Sequence, residues 1–549
     1  MRVVDAIIRV LKKEGIDYLS CFPTTPVIEA AAQADIRPII CRQERVGLGI
    51  SDGYSRITNG KKLSVFAMQY GPGAENAYPG VATAFSDSTP MLILPLGHPL
   101  SRDRVFPLYS SLKSYESITK YIEQITTPEK TIDVIRRAIS STRIGRPGPA
   151  MVEIPEDMLN KEIEESLVEQ YKSVDFVRSK ANDADISAVS KIILDAKNPI
   201  IIAGAGVLYS EASKELEELA SLLQIPVMTT MEGKSAISER HNPLALGSGS
   251  GVMSDPVVYF MKNADVVIAL GTSLTRHPMV TTIPPGKIII HNTNDPIDLY
   301  KNYNIDFPLL GDTKLVIHQL IDSCKDYLGN KVIQNDVASE IRRIRDNFLN
   351  NWDQHLSSKN TPISPYRVIS EFMKNIDPSD AIVTHDAGSP RYQMMPFYQS
   401  DTPRSYIGWG KSHQLGTGLG LAIGAKLASP DKFCVNFMGD AAFGMTGLDL
   451  ETSARSGLPI TTIVLRNETM AIETNHMKIS HEKYRARDLD GDYAEIAKSL
   501  GAWSTVVNDP DDIAKAILDA KDKNEEGKTA LIQINTSKDQ NFANMRPFG

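Results

Sequence analysis

The stretch "FMGDAAFGMTGLDLETSARSGLPITTIVLRNETM", Phe437 to Met470, joins two apolar runs, each followed at once by a polar residue. The first run ends at Asp440; the second, "PITTIVLR", ends at Asn467. Short apolar runs bounded by turn residues read as buried strands of a parallel sheet, and the chain between them leaves room for one helical crossover. In open α/β sheets, ligands gather at the carboxyl ends of strands. Asp440 and Asn467 should therefore emerge at one edge. A carboxylate paired with an amide oxygen suits a hard divalent cation, usually Mg²⁺. Either residue alone is equally well a cap or turn former; their pairing gives them weight.

The same alternation extends outward in both directions. "KLSVFAMQ", "PMLILPLG" and "GPAMVEIPEDM" read as strands of a first unit. "KNPIIIAGAG", "QIPVMTT", "NADVVIALGTSL" and "GKIIIHNTND" form a second, and "AIVTHDAG", "KFCVNFMGD", "PITTIVLRN" and "TALIQINT" a third. The 549 residues exceed what one core accommodates. The expected fold is α/β, with three domains and mainly parallel sheets, spanning residues 1–170, 188–340 and 360–549. "KEIEESLVEQYKSVDFVRSKANDADIS" reads as a surface linker. "GAGVLYS" lacks the full G-x-G-x-x-G and a clear acidic partner, so it reads as a glycine-rich turn rather than a nicotinamide-cofactor loop.

Hydrophobic residues make up 42% and charged residues 23%, and the formal charge of −8 gives no basic footprint for nucleic acid. Cys21, Cys41, Cys324 and Cys434 lack metal-ligand spacing and read as buried free thiols. Charges interrupt "MRVVDAIIRVLKKEGIDYLSCF", which reads as an amphipathic helix entering a strand and not as a signal peptide. No run approaches the roughly 18 apolar residues of a spanning helix. The expectation is a soluble, cytoplasmic protein without a membrane or nucleic-acid partner.

The third unit resembles the diphosphate-binding domain of thiamine-diphosphate enzymes, particularly their acetolactate synthase-like branch. That family's motif begins Gly-Asp-Gly and ends Asn-Asn, whereas this chain has "GDAAF" and "LRNETM", departing at Ala441 and Arg466. The resemblance implies that Asp440 and Asn467 hold Mg²⁺, with Thr469 completing the coordination, and that Gly439, Ala441 and Ala442 lie along the diphosphate. "HQLGTGLGLAIGAKLA" is similar to the segment beneath the thiazolium ring, with Leu415 as the wedge under the bent cofactor and His413 nearby. His385, in "HDAGSP", would add contacts at another strand end. In the first unit, "ICRQERVGLGISDGYSRITNG" resembles the cofactor-activation motif. Glu44 would then hydrogen-bond the aminopyrimidine N1′ and favour the tautomer that removes the C2 proton. "MQYGPGAENAYPG" resembles the family's "GPGATN" turn, with Gly71 and Gly73 allowing close approach and Asn76 on the pyrimidine side. In the family, the glutamate and the metal ligands come from different subunits, which implies a homodimer and possibly a homotetramer.

The resemblance implies decarboxylation or carboligation of a 2-oxo acid. Substrate-side positions depart from acetolactate synthases: Phe106-Pro107 stands for Phe-Gln, Glu156 for a lysine, and His476 for a tryptophan. With Ile472 these are the candidate substrate-pocket residues. The central unit does not match the FAD-associated segments, so FAD is not expected. "GDAAFGMTGLDLET" is also similar to oxalyl-CoA decarboxylases and 2-hydroxyacyl-CoA lyases, which keeps a CoA-dependent lyase as an alternative. A non-catalytic cofactor-binding homologue is the third.

Overall fold

The computed structural model describes residues 1–548, so the last residue of the expected third domain, Gly549, lies outside the described residues. Three six-stranded sheets follow one another along the chain. The first contains β1 (Tyr18–Cys21), β2 (Arg37–Ile40), β3 (Ser64–Met68), β4 (Met91–Gly97), β5 (Tyr121–Gln124) and β6 (Pro149–Pro155). The central sheet contains β7 (Pro199–Ala203), β8 (Val227–Thr230), β9 (Ala245–Gly249), β10 (Val266–Leu270), β11 (Ile288–Thr293) and β12 (Phe307–Leu310). The third contains β13 (Ala381–His385), β14 (Tyr406–Ile407), β15 (Phe433–Gly439), β16 (Thr461–Arg466), β17 (Trp503–Val507) and β18 (Ala530–Asn535).

All strand pairs within these sheets are parallel, including β3 with β4, β7 with β10, and β15 with β16. The first sheet runs β2-β1-β3-β4-β6-β5, and the third repeats that order as β14-β13-β15-β16-β18-β17. The central sheet runs β9-β8-β7-β10-β11-β12, the 3-2-1-4-5-6 order of doubly wound dinucleotide-binding sheets. Interior strands such as β4 ("MLILPLG") and β10 ("VVIAL") are buried along their whole length, as a sheet covered on both faces requires. The sequence does not announce β5, β9, β12, β14 or β17. All five are edge strands. An edge strand can leave part of its length open to solvent, so it needs no continuous apolar run: β5 is only half-buried throughout.

The stretch read as a surface linker is partly a strap. Val168 and Tyr171 are buried against the first domain. Tyr171 Oη donates to Glu14 Oε1 at 2.5 Å, and Arg143 Nη1 donates to Glu14 Oε2 at 2.5 Å. Val174 N–H also reaches Glu14 at 3.2 Å, and beyond it Val177 bridges to Ile144 and the Ser179 carbonyl accepts the Asp312 N–H at 2.8 Å.

The first and third domains meet through two helices that each follow the second strand of their sheet, Glu44–Thr58 and Thr417–Ala428. Every residue from Thr417 to Leu427 is buried. A Cβ on Gly53 would stand 2.2 Å from Leu421 O, and one on Gly424 would stand 2.1 Å from Ile50 O. The helices therefore touch backbone to backbone. Beside them, Arg56 donates to Asp52, Asp87 and the Gly408 carbonyl, while Arg404 donates to Asn59, the Arg56 carbonyl and the Leu208 carbonyl. That joint ties all three domains. All four cysteines are free and buried, as expected. Among the described residues, no helix is long and apolar enough to cross a membrane.

On an open helix face, Gly→Ala stabilises by about 0.5–1 kcal/mol. At Gly53 the added methyl meets the Leu421 backbone, so the sign should reverse. Gly53→Ala is expected to lose roughly 1–3 kcal/mol in urea denaturation. Gly444→Ala, with nothing within 4 Å of the new Cβ, should be neutral or stabilising.

Candidate active site

β2 leads into Gln43, extended at φ −135° and ψ 136°, and Glu44 takes the first helical position. Glu44 is only 4% exposed. Its carboxylate is fixed by Asn76, whose Nδ2 donates to Oε2 at 2.5 Å. Gly71 turns the chain at φ +60° before the Pro72–Asp87 helix that carries Asn76. A Cβ on Gly73 would come within 2.9 Å of the Gln69 side chain and 3.4 Å of Glu44 Oε1, so glycine keeps this wall open. Burial raises the Glu44 pKa, and hydrogen bonds from its own backbone and from Asn76 only partly oppose it. Tyr115 lines the same region and donates to the Ala74 carbonyl at 2.5 Å.

At the other half, β15 ends in Gly439 and Asp440 opens the Asp440–Thr446 helix. Asp440 is buried; its Oδ1 accepts the Ala441 N–H at 2.9 Å, and its Oδ2 accepts those of Asn467 at 3.1 Å and Glu468 at 2.7 Å. Asn467 Oδ1 accepts the buried Thr469 N–H at 3.2 Å. Asp440 and Asn467 thus meet at one sheet edge, as their strand-end positions predict, with the Thr469 N–H bonded to Asn467. Burial raises the Asp440 pKa, opposed by those backbone donors. Ala442 is buried and Ala441 half-buried beside it. Among the described residues no group of three or more His, Cys, Asp or Glu gathers. The side-chain oxygens assembled here are one carboxylate and one amide, a donor pair suited to a hard cation.

The residues around Glu44 join the two halves. Arg42 N–H reaches Asp449 Oδ1 at 2.7 Å, Gln43 Nε2 reaches the Met445 carbonyl at 3.3 Å, and Arg45 Nη2 reaches the Leu415 carbonyl at 2.5 Å. Leu415 precedes Gly416, whose φ of +87° and tight approach to Thr446 both require glycine. The two halves meet here within one chain.

Asp386 is the functional residue that sequence reading passed over. It is fully buried, and its carboxylate accepts N–H groups of Ala387 and Gly416 at 2.8 Å and of Gly418 at 2.9 Å. It thereby shapes the turn that presents Leu415. Burial pushes its pKa up to about 6 against those donors. The signal was available: Asp386 follows apolar β13 as Asp440 follows β15. His385, expected to contact the cofactor, instead packs inside. Its ring is unexposed and stacks on Trp409 at 5.5 Å, and burial pushes its pKa down to about 3. As the last β13 residue it belongs to the sheet, and Asp386 is the first residue past the strand end. His413 is exposed, with its ring 5.7 Å from His277.

The substrate-pocket residues are not gathered into one walled pocket. Phe106 is 93% exposed, and Pro107, Glu156 and His476 are exposed too. Ile472 packs against the third domain's core. Phe106, Pro107 and His476 stand in surface connections, where no sheet geometry directs them inward. A separate cavity of about 130 Å³ lies at the carboxyl ends of the central sheet, bordered by Gly206, Gly271, Thr272, Asn294 and Asp312. Its glycine turn is packed tightly: a Cβ on Gly204 would stand 2.4 Å from the Gly271 carbonyl oxygen.

Residues 1–120, 186–320 and 386–534 match, in order, the N-terminal TPP binding, central, and C-terminal TPP binding domains of thiamine pyrophosphate enzymes. The chain is 30% identical, over 95% of its length and 90% of the relative's, to a "Probable acetolactate synthase large subunit" of Methanococcus aeolicus. The chain belongs to the thiamine-diphosphate-dependent enzymes, on their acetolactate synthase-like branch. A protein of the same name from Methanocaldococcus jannaschii is 29% identical over 96% of this chain and 90% of its own. A "Sulfoacetaldehyde acetyltransferase" of Alcaligenes xylosoxydans xylosoxydans is 28% identical over 92% of this chain and 87% of its own. The three sheets are thus the three domains of a thiamine-diphosphate enzyme.

Asp386→Ala leaves three N–H groups around the Leu415 turn without their acceptor. The expected cost is on the order of 3 kcal/mol in chemical denaturation, with weaker retention of thiamine diphosphate in equilibrium dialysis. An unchanged denaturation midpoint would show that the turn holds its shape without this carboxylate.

Proposed function

We propose that this enzyme decarboxylates a 2-oxo acid and delivers the remaining fragment to a proton or to a second carbonyl compound. One observation carries the reading: a buried carboxyl, Glu44, is fixed by Asn76 and tied on both sides to the domain that bears Asp440 and Asn467. Thiamine diphosphate, when bound, supplies a carbon nucleophile and a sink for the electrons left when carboxylate departs. Glu44 holds a proton in a low-dielectric pocket that raises its pKa towards the working range of an acid–base group. Leu415 presents an apolar wedge, and Gly71 and Gly73 keep bulk away from Glu44. Asp440, Asn467 and the Thr469 backbone would hold Mg²⁺ against the diphosphate, and small Ala441 and Ala442 leave the helix start accessible.

FAD is not required in this proposal. The support for this is the sequence of the central unit, which does not match the FAD-associated segments. For the assembly, the proposal retains a homodimer. The glycine-lined contact joins equivalent helices of two domains with one topology, and such a contact can be exchanged between copies without creating new surface.

Supplied with thiamine diphosphate and Mg²⁺ but no flavin, the protein should release CO₂ from at least one member of a 2-oxo-acid panel. Glu44→Gln should slow both that release and hydrogen–deuterium exchange at C2 of the bound cofactor by about 10²–10⁴-fold, with cofactor occupancy unchanged. Equal exchange rates would reduce Glu44 to a helix-end residue.

Mixed subunits test the assembly. Glu44→Gln and Asp440→Ala chains, each inactive alone, should recover part of the activity when co-assembled, because one exchanged site contains neither change. No recovery would place the complete site within one chain.

A further inference from the structure

We propose that a cleft between the central and third domains binds a small carboxylic acid with an apolar tail. The cleft lies beneath the Val337–Leu356 helix that connects the two domains, and its volume is about 420 Å³. That is within the usual size of a small-molecule site. It is separate from Glu44, Asp440 and the cavity of the central sheet, and nothing in the proposed catalysis uses it.

One side of the cleft is apolar, formed by Phe348, Leu356, Ile369, Met373, Met395 and Phe397. The other side carries one buried donor without an acceptor, together with two arginines. Tyr398 is 1% exposed, and its Oη has no hydrogen-bond partner among the described residues. Arg345, half-buried, donates to the Ala245 carbonyl, and among the described residues neither it nor the exposed Arg240 has a carboxylate within ion-pair distance. Glu239 also borders the cleft, but it is already engaged. It pairs with Lys234 at 2.6 Å and accepts from Ser248 at 3.1 Å and the Ser400 N–H at 3.3 Å. Asp353 stands exposed at the margin, and Lys374 is paired with Glu371 at 3.0 Å.

Two guanidinium groups and a buried hydroxyl thus border a space whose opposite wall is largely hydrocarbon and aromatic. Guanidinium offers paired donors in the geometry that a carboxylate accepts, and a phenol adds a third donor. A carboxylate matches the chemistry of these donors, and the apolar wall takes the tail. A phosphate or sulfate would satisfy the donors but leave that wall uncovered. The cleft also borders an element that leads to the catalytic region: Met395 and Tyr398 follow the Ser389–Met394 helix, whose cap, Gly388, lies against Leu415.

Hexanoate is a suitable probe, with hexanamide as a tail-matched control, each titrated into the full-length protein and followed by ligand-observed NMR. Saturable hexanoate binding is expected, with hexanamide about tenfold weaker. Arg345→Gln should weaken hexanoate roughly 10–100-fold, and Tyr398→Phe about fivefold. Tyr398→Phe removes only an unpartnered hydroxyl, so it should fold normally and decides the matter even where Arg345→Gln does not fold. No saturable binding up to about 20 mM, equal binding of hexanamide, or undiminished binding by Tyr398→Phe would overturn the proposal.

Discussion

The site depends on two helices touching at their backbones. Gly49 meets Gly420, and a Cβ on Gly420 would lie 2.7 Å from the Val46 carbonyl oxygen and 2.8 Å from Gly49 Cα. Further along, Gly424 packs on Ile50 and Tyr54. The contacts advance together along both helices, so the two amino-terminal ends lie at the same end of the pair. Glu44 begins one helix and Leu415 stands just before the other. Their proximity is therefore set by main-chain contact, which no rotamer change can loosen. Side chains at the glycines would separate the domains and, with them, the acid from the wedge.

One topology serves two chemical roles. In the first and third sheets the second strand leads to the paired helices, and the third leads to a glycine that caps the next helix, Gly71 in one case and Gly439 in the other. What differs is the side chain placed at each strand end. At the end of its second strand the first domain buries one carboxyl, Glu44, held by a single side-chain donor, Asn76. The third surrounds its carboxylates, Asp386 and Asp440, with backbone N–H groups. These donors favour ionisation while burial opposes it, and burial prevails in the isolated chain. A cation at Asp440 would reverse that balance.

Interior strands were legible because a sheet covered on both faces needs unbroken apolar runs, and "MLILPLG", "VVIAL" and "FCVNFMG" provide them. Edge strands were not: Ala245–Gly249 is rich in glycine and serine, and Tyr406–Ile407 is only two residues long. Asp440, Asn467 and Glu44 could be found because each follows a recognisable strand. Asp386 followed the same rule but was overshadowed by His385, whose side chain turned into the core. The loop positions Phe106, Glu156 and His476 had only likeness to recommend them, and loops carry no periodicity from which a direction can be read. The backbone pairing of two distant helices left only scattered glycines as its trace.

Arg45 and Leu415, which bond across that pairing, are 370 residues apart in the chain. At a ribosomal rate of about 5–20 residues per second, the first helix leaves the tunnel roughly 20–70 s before its partner is made. For that interval the smooth face around Gly49 and Gly53 has no cover from its own chain. A nascent neighbour on the same messenger, further along in synthesis, already displays the matching face. Translation order thus sets a time window in which the proposed pairing with another copy would compete with pairing within the chain.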